Sequence, residues 1–107
     1  MPVTALTSLD EYQETIKGEN VTIIDFWATW NGPCRIISPA FEKMSDDPEF
    51  SGIQFYKVDA DDQPDIVQQA GIRALPTFIA YKDGSKVDDL VGANPQALLN
   101  LVRECNA

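Results

Sequence analysis

The stretch VTIIDFWATWNGPCRIISP, residues 21–39, joins an apolar segment to a helix through a short aromatic loop. Residues 21–27 are apolar on both faces and too few for a free-standing helix, which is typical of a central strand covered on both sides. Pro33 falls in the first turn of the following helix, where its missing N–H costs no hydrogen bond. The predicted apolar face of this helix contains Ile36, Ile37, Ala40, Phe41 and Met44.

The segments on either side of this unit alternate between helix and strand patterns. Ser8, with a glutamate three residues later, predicts a helix start, and Asn94 before Pro95 predicts another. Two apolar runs joined at Asp83-Gly84 predict an antiparallel hairpin. The other predicted elements are a strand near Val3–Leu6, a buried strand in residues 52–61 and a short helix in residues 63–71.

This order of elements predicts the fold class. Strands that alternate with helices require parallel crossovers, and the late hairpin adds an antiparallel part. We therefore expect an α/β fold with a mixed central β-sheet and helices on both faces. The length allows one domain with one real core, so we assign residues 1–107 to a single domain.

Composition excludes several classes of function. With a formal net charge of −9 and 8 scattered Lys and Arg residues, nucleic-acid binding is not expected. Two cysteines and no histidine cannot supply the ligands of a zinc site, so no metal is expected. No apolar run approaches the ~18 residues of a membrane span, and the first residues lack the pattern of a secretory signal. We expect a cytoplasmic protein with no membrane contact.

Several motifs together resemble one family. DFWATWNGPCRIISP (residues 25–39), YKVDAD (56–61), ALPTF (74–78) with the following KDG, and VGANP (91–95) occur in the order found in thioredoxins. The chain is most similar to cytosolic eukaryotic thioredoxins of the fungal type, over nearly its whole length. The resemblance implies a thioredoxin fold and a general protein disulfide oxidoreductase that acts by thiol–disulfide exchange.

One departure from the family pattern concerns the chemistry. Thioredoxins have Trp-Cys-Gly-Pro-Cys, whereas this chain has an asparagine, Asn31, in place of the first cysteine. The resemblance makes the remaining Cys34 the resolving cysteine, which the family keeps mostly buried. An amide cannot attack a disulfide, so dithiol exchange should be absent from this chain. Because Asn is a good helix N-cap, we expect its side-chain oxygen to accept a hydrogen bond from the Cys34 N–H.

Two charged residues lie within apolar strand patterns. Asp25 is either a carboxylate at a strand end facing water or, as the resemblance implies, the buried group that exchanges a proton with Cys34. Lys57 lies on the same strand face as Ile53 and Phe55. It either extends to solvent or, as the resemblance implies, tunes the nearby Asp25.

The resemblance also implies a substrate groove. Trp30 would be a partly exposed contact for target proteins, whereas Trp27 would pack in the core. Pro76 matches a cis-proline whose neighbouring backbone pairs with an extended target segment. Gly71, Gly84 and Gly92 are better explained by backbone conformation, although Gly92 also matches a groove position. The residues assigned to substrate binding are Trp30, Gly32, Pro33, Leu75, Pro76, Gly92 and Ala93.

The partners follow from the family. A thioredoxin binds no cofactor itself and receives electrons from NADPH through thioredoxin reductase, passing them to disulfide-containing target proteins. We expect a monomer, with a disulfide-linked dimer through Cys34 as the alternative under oxidation. Cys105 shares an apolar helix stripe with Leu98, Leu101 and Val102, so it is expected to be buried rather than to form regulatory disulfides.

Three functional hypotheses remain open. The retained Asp25 and Lys57 favour an engineered, redox-inactive variant of a thioredoxin, since asparagine and cysteine codons differ by more than a single base. The second hypothesis is a natural redox-inactive thioredoxin-fold protein-binding module that uses the groove without chemistry. The third is a monothiol enzyme, which is disfavoured because such relatives keep the first cysteine rather than the second.

Overall fold

The computed structural model describes residues 3–107, which form five strands, four α-helices and one 3₁₀ helix. The strands are β1 (Val3–Ala5), β2 (Thr22–Trp27), β3 (Gln54–Asp59), β4 (Thr77–Lys82) and β5 (Ser85–Val91). The α-helices are α1 (Leu9–Ile16), α2 (Gly32–Asp46), α3 (Pro64–Ala70) and α4 (Pro95–Cys105), and the 3₁₀ helix is Pro48–Phe50.

The strands form one mixed sheet in the order β1-β3-β2-β4-β5. β1, β3 and β2 are parallel, and β4 and β5 are antiparallel to their neighbours. The strand predicted to be central, β2, is the middle strand, and five of its six residues are buried. The predicted α/β fold with a mixed central sheet is confirmed.

Alternate residues of the central strands contribute their side chains to two separate hydrophobic cores. One side contains Ile23, Phe55 and Phe78 together with residues of α2 and α4, and the other contains Ile24 and Phe26 together with residues of α1 and α3. Both sides of the sheet are therefore covered by helices, as predicted. This explains why the β2 sequence is apolar without alternation.

The predicted helix starts and the hairpin turn are confirmed. Ser8 Oγ accepts from the Glu11 N–H at 3.1 Å, and Asn94 Oδ1 accepts from the Ala97 N–H at 3.0 Å. Asp83 and Gly84 both have positive φ, +54° and +84°, as a two-residue type I′ hairpin turn requires. The same turn packs against the end of α1, because the Gly84 N–H donates to the Ile16 carbonyl at 2.8 Å.

Two side-chain placements differ from the sequence-based expectation. Ile36 was assigned to the apolar face of α2, but it is 73% exposed, so that assignment is wrong. The buried positions of α2 are Cys34, Ile37 and Phe41, and Ile36 precedes Ile37 by about 100° of helix rotation, which turns it off that face. Cys105 is only half-buried, because it is the last residue of α4, although its side chain packs against the core as expected.

Candidate functional site

Four chain segments meet at one end of the sheet. Phe26 of β2 pairs with Thr77 of β4, so the loop that follows β2 and the loop that precedes β4 emerge side by side. Thr77 also pairs with Val91, which brings the segment after β5 to the same place. Trp27 pairs with Asp59, which adds the segment after β3. The sheet register therefore brings together segments containing Trp30, Asn31, Pro76, Gly92 and Ala93, as the resemblance implied.

Asn31 forms the N-cap of α2. Its backbone is extended, with φ −91° and ψ 113°, and its Oδ1 accepts a hydrogen bond from the Cys34 N–H at 2.9 Å. This is the contact predicted from the sequence. Pro33 lies within the first turn, where it has no N–H to leave unpaired. Asn31, which occupies the position of the attacking cysteine in thioredoxins, thus accepts a hydrogen bond from one of the backbone N–H groups that have no partner within the helix.

Cys34 lies one turn inside α2 and has no solvent-exposed surface. Burial raises the pKa of its thiol, which a backbone hydrogen bond with Ala28 opposes and the negative charge of Asp25 reinforces. A thiol with a raised pKa has little thiolate near neutral pH, and only the thiolate attacks disulfides. Cys34 is therefore suited to act late in a reaction rather than to start one.

Asp25 lies in the middle of β2 and is 3% exposed, so of the two alternatives the structure shows the buried carboxyl that the resemblance implied. Burial raises its pKa from 3.8 to about 7, Lys57 opposes this increase, and Glu42 adds to it. Its Oδ1 has no hydrogen-bond partner among residues 3–107. A carboxyl with a pKa near neutral can both accept and release a proton, as a proton shuttle must.

A cavity of about 230 Å³ connects Asp25 with its charged neighbours. The residues that line it are Val3, Asp25, Trp27, Ser38, Phe41, Glu42 and Lys57. Lys57 is paired in register with Asp25 across β2 and β3, and its Nζ lies 5.9 Å from the centre of the Trp27 ring. Lys57 is half-buried and forms no ion pair with Asp25, so its charge acts on the carboxyl without direct contact. Glu42 was not foreseen from the sequence, because only the packing of α2 over β2 brings it near Asp25.

Trp30 is 68% exposed beside the helix start, as expected for a contact residue. Its indole Nε1 donates to Asp61 Oδ2 at 2.8 Å, which holds the ring against the segment after β3. Asp61 was not identified from the sequence, since it is 31 residues further along the chain in a run of acidic residues that gives no positional signal. Trp27, expected to be core, is half-buried, and its Nε1 lacks a hydrogen-bond partner among residues 3–107.

A groove of about 270 Å³ adjoins Trp30. Its lining consists of Trp30, Ala60, Val67, Ile72, Arg73, Ala74 and Leu75. The Leu75–Pro76 peptide bond is cis, as the resemblance implied, and the Pro76 carbonyl accepts from the Gly92 N–H at 2.9 Å. Gly92 has φ +107°, a conformation that favours glycine. Apart from Arg73 the side chains that line the groove are apolar, and Leu75 connects the groove to the cis peptide bond.

The thioredoxin family profile matches residues 3–104. The chain belongs to the thioredoxin family. It is 53% identical over 102 residues to a thioredoxin of Coprinus comatus, covering 95% of this chain and 96% of that one. It is 47% identical to the thioredoxin of Malassezia sympodialis, covering 98% and 100%. The crystal structure of the Malassezia protein superposes with a TM-score of 0.95, covering 98% of this chain and 91% of that chain.

Membership of the thioredoxin family has direct consequences for the site. Thioredoxins are general thiol–disulfide oxidoreductases that act on disulfide-containing proteins and bind no cofactor. Within residues 3–107, no three His, Cys, Asp or Glu side chains lie close enough to hold a metal ion. No helix of the same residues combines the length and apolarity required to cross a membrane.

We expect the change Asn31→Ala to lower the free energy of unfolding by about 1 kcal/mol, because it removes the hydrogen bond to the Cys34 N–H. Urea denaturation followed by circular dichroism measures this loss. Asn94→Ala, which removes the equivalent cap of α4, should have a similar cost, whereas Asn31→Asp should have little. Equal stability of the Asn31→Ala variant and the unmodified chain would contradict a capping role.

Proposed function

We propose that this chain retains the docking surface of a thioredoxin but does not carry out dithiol exchange. The observation that supports this is the geometry at the start of α2. There the Asn31 amide caps the helix, while Cys34 is fully buried behind it. The exposed Trp30, the adjoining groove and the cis-Pro76 backbone remain in place to hold a target segment.

The retained residues account for the second half of a dithiol reaction. In a working form with cysteine at position 31, its thiolate attacks one sulfur of a target disulfide, forms a mixed disulfide and releases the first target thiolate. Cys34 then loses its proton to Asp25 and attacks the sulfur at position 31. The products are a disulfide between positions 31 and 34 and the second target thiol. In this chain the mixed disulfide at position 31 cannot form, so Cys34 and Asp25 have no substrate to act on.

The positions of Asp25 and Lys57 support the interpretation that the working form carries cysteine at position 31. A buried carboxyl with a pKa near 7 has a large cost at neutral pH, and it assists only a reaction that Cys34 completes. The proposal therefore treats Asn31 as a replacement, made deliberately or recently, of the attacking cysteine. A natural binding module that had lost its chemistry would gain nothing from keeping this carboxyl.

The proposed partners are thioredoxin reductase, with electrons from NADPH, and proteins that carry accessible disulfides. One solved relative, 36% identical with a TM-score of 0.88, comes from work on a yeast mitochondrial peroxiredoxin resolved "via glutathione/thioredoxin systems". By analogy, we propose that peroxide-reducing enzymes are among the targets. A cytoplasmic location and a monomeric state are part of the same proposal.

A competition experiment tests docking without chemistry. The unmodified chain, added to thioredoxin reductase, NADPH, insulin and the Asn31→Cys variant, should slow NADPH oxidation while supporting none by itself. The matched control is the unmodified chain with Trp30→Ala, which should inhibit less because it lacks the exposed ring. NADPH oxidation by the unmodified chain at the rate of the Asn31→Cys variant would overturn the proposal. Failure of the folded chain to inhibit would show that the docking surface is not retained.

A further inference from the structure

An exposed apolar strip lies on the outward face of α2 and begins at the candidate site. We propose that this strip, formed by Gly32, Ile36 and Pro39, binds an apolar side chain of the target protein close to its disulfide. The proposal rests on the proposed function and deepens it, because it adds Ile36 to the docking surface as a residue that selects among targets.

The orientation of Ile36 follows from the burial of its neighbours. Ile37 is fully buried, whereas Ile36 is largely exposed to solvent. Gly32 precedes Ile36 by four residues and Pro39 follows it by three, and these spacings place residues on one face of a helix. Gly32 and Pro39 are exposed as well. The outward face of α2 therefore continues the surface that begins beside the Asn31 cap.

The length of the strip limits what it can bind. From Gly32 to Pro39 the helix axis rises by about 10 Å. Lys43, one turn beyond Pro39, is exposed and charged, so the apolar surface ends there. An extended polypeptide covers about 10 Å with about three residues, so only one or two of its side chains reach the strip.

Exposed large apolar side chains are concentrated near this strip. Among residues 3–107, the large apolar side chains that are more than half exposed are Trp30, Ile36, Val87 and Val91. Trp30 lies just before α2, and Val91 pairs with Thr77, the residue after cis-Pro76. All of them except Val87 thus lie at the site or about one helical turn from it. Such a concentration is typical of an interaction surface rather than of single scattered residues.

The charge around the strip indicates the chemistry of its occupant. The chain has 17 Asp and Glu residues, yet none lies between Asp25 and Glu42. Arg35, next to Ile36, is exposed and forms no ion pair with any of residues 3–107. An apolar side chain with neutral or acidic neighbours therefore meets no carboxylate on the first turns of α2, and a carboxylate beside it can pair with Arg35.

The strip acts on the encounter with the target and not on the chemical step. A target held at Ile36 keeps its disulfide beside position 31, where a cysteine thiolate attacks in the working form. A small disulfide has no side chain that reaches one turn further along α2, so its reaction does not depend on the strip. Ile36 is therefore a specificity residue and not a catalytic one.

Single-turnover kinetics in the Asn31→Cys background tests the proposal without a reductase. The reduced variant is mixed with insulin or with bis(2-hydroxyethyl) disulfide, and alkylation of its remaining thiols followed by mass spectrometry gives the second-order rate constant. We expect Ile36→Gln to lower the constant for insulin roughly tenfold, because the apolar contact is lost. The constant for the small disulfide should not change. Ile36→Leu should keep most of the rate with insulin.

A matched control replaces another exposed apolar side chain. Val87 lies on β5 near Tyr81, towards the end of β4 that is remote from Thr77, so Val87→Gln should change neither rate constant. Because Ile36 is exposed and glutamine favours helix, Ile36→Gln should keep the fold, which circular dichroism verifies.

Several results would overturn the proposal. They are a folded Ile36→Gln variant that reacts with insulin as fast as its parent, equal slowing of both disulfides, or equal slowing of insulin by Val87→Gln. A dimer of the unmodified chain that Ile36→Gln dissociates would assign the strip to a second copy of the chain and also overturn it. Failure of the proposed function looks different, because the Asn31→Cys parent then reduces neither disulfide and this proposal fails with it.

Discussion

Replacing Asn31 by cysteine should turn a chain that does not reduce insulin disulfides into one that does, with the rate rising by roughly three orders of magnitude or more. The new thiol would occupy the N-cap of α2, where the free amides and the helix dipole lower its pKa. Cys34, Asp25 and cis-Pro76 are already placed to complete the reaction. Turbidity of precipitating insulin, with dithiothreitol as the reductant and its own rate subtracted, measures the effect.

Two control variants test whether the gain in activity comes from the attacking sulfur at position 31. Asn31→Ser preserves a capping side chain without a thiol and should stay as inactive as the unmodified chain. Asn31→Cys combined with Cys34→Ser should form mixed disulfides with insulin that persist, because nothing resolves them. A folded Asn31→Cys variant that remained inert would favour the protein-binding module instead. Rapid insulin reduction by the unmodified chain would contradict the assignment of Asn31 to the position of the nucleophile.

Asp25 should make the chain less stable as the pH rises. The pKa of the Asp25 carboxyl is about 7 in the folded chain, compared with 3.8 for an aspartate in the unfolded chain. At pH values between these two pKa values the folded chain therefore binds more protons than the unfolded chain. The free energy of unfolding therefore falls with increasing pH through this window. The difference between the two pKa values corresponds to a loss of up to about 4 kcal/mol between about pH 4 and about pH 8.

The change Asp25→Asn isolates this contribution, because it keeps the shape of the side chain and removes its charge. We expect the variant to gain stability relative to the unmodified chain as the pH rises, with the difference levelling off above about pH 8. Urea denaturation of both proteins across this range measures it. As a matched control, Asp88→Asn removes one carboxylate from the exposed strand β5 and leaves the buried carboxyl in place. A difference between Asp25→Asn and the unmodified chain that does not vary with pH would rule out a protonated carboxyl.

Most of the fold could be predicted from local sequence patterns. The apolar run of β2, the turn at Asp83-Gly84 and the caps at Ser8 and Asn94 each specify their structure through short-range physics, and all of them are found. The prediction that Ile36 belongs to the apolar face of α2 was wrong, because Ile36 is adjacent in sequence to a buried position. Only the orientation of α2 against the sheet decides which side of the helix faces inward.

The site residues that lie in motifs shared with the family could be predicted from the sequence, and the other site residues could not. Asp61 and Glu42 take part in the site through contacts with Trp30 and Asp25, and neither residue lies in a motif that marks it. The pairing of Lys57 with Asp25 was foreseen only as one of two alternatives, since a lysine on an apolar face can also extend to solvent. Its half-buried position beside the Trp27 ring is set by the cavity.

The sequence by itself determined the main helices and strands and their order, because helix caps, turns and strand patterns depend on residues close together along the chain. It also determined that the attacking thiol is absent, because residue 31 is an asparagine. It also determined that Asn31 would bond to the Cys34 N–H, a contact across a single helical turn. Only the tertiary structure decided how strongly Asp25 and Cys34 are desolvated and which distant side chains modify them. Those effects arise from α2 packing over the sheet, and desolvation and charge act through space rather than along the chain.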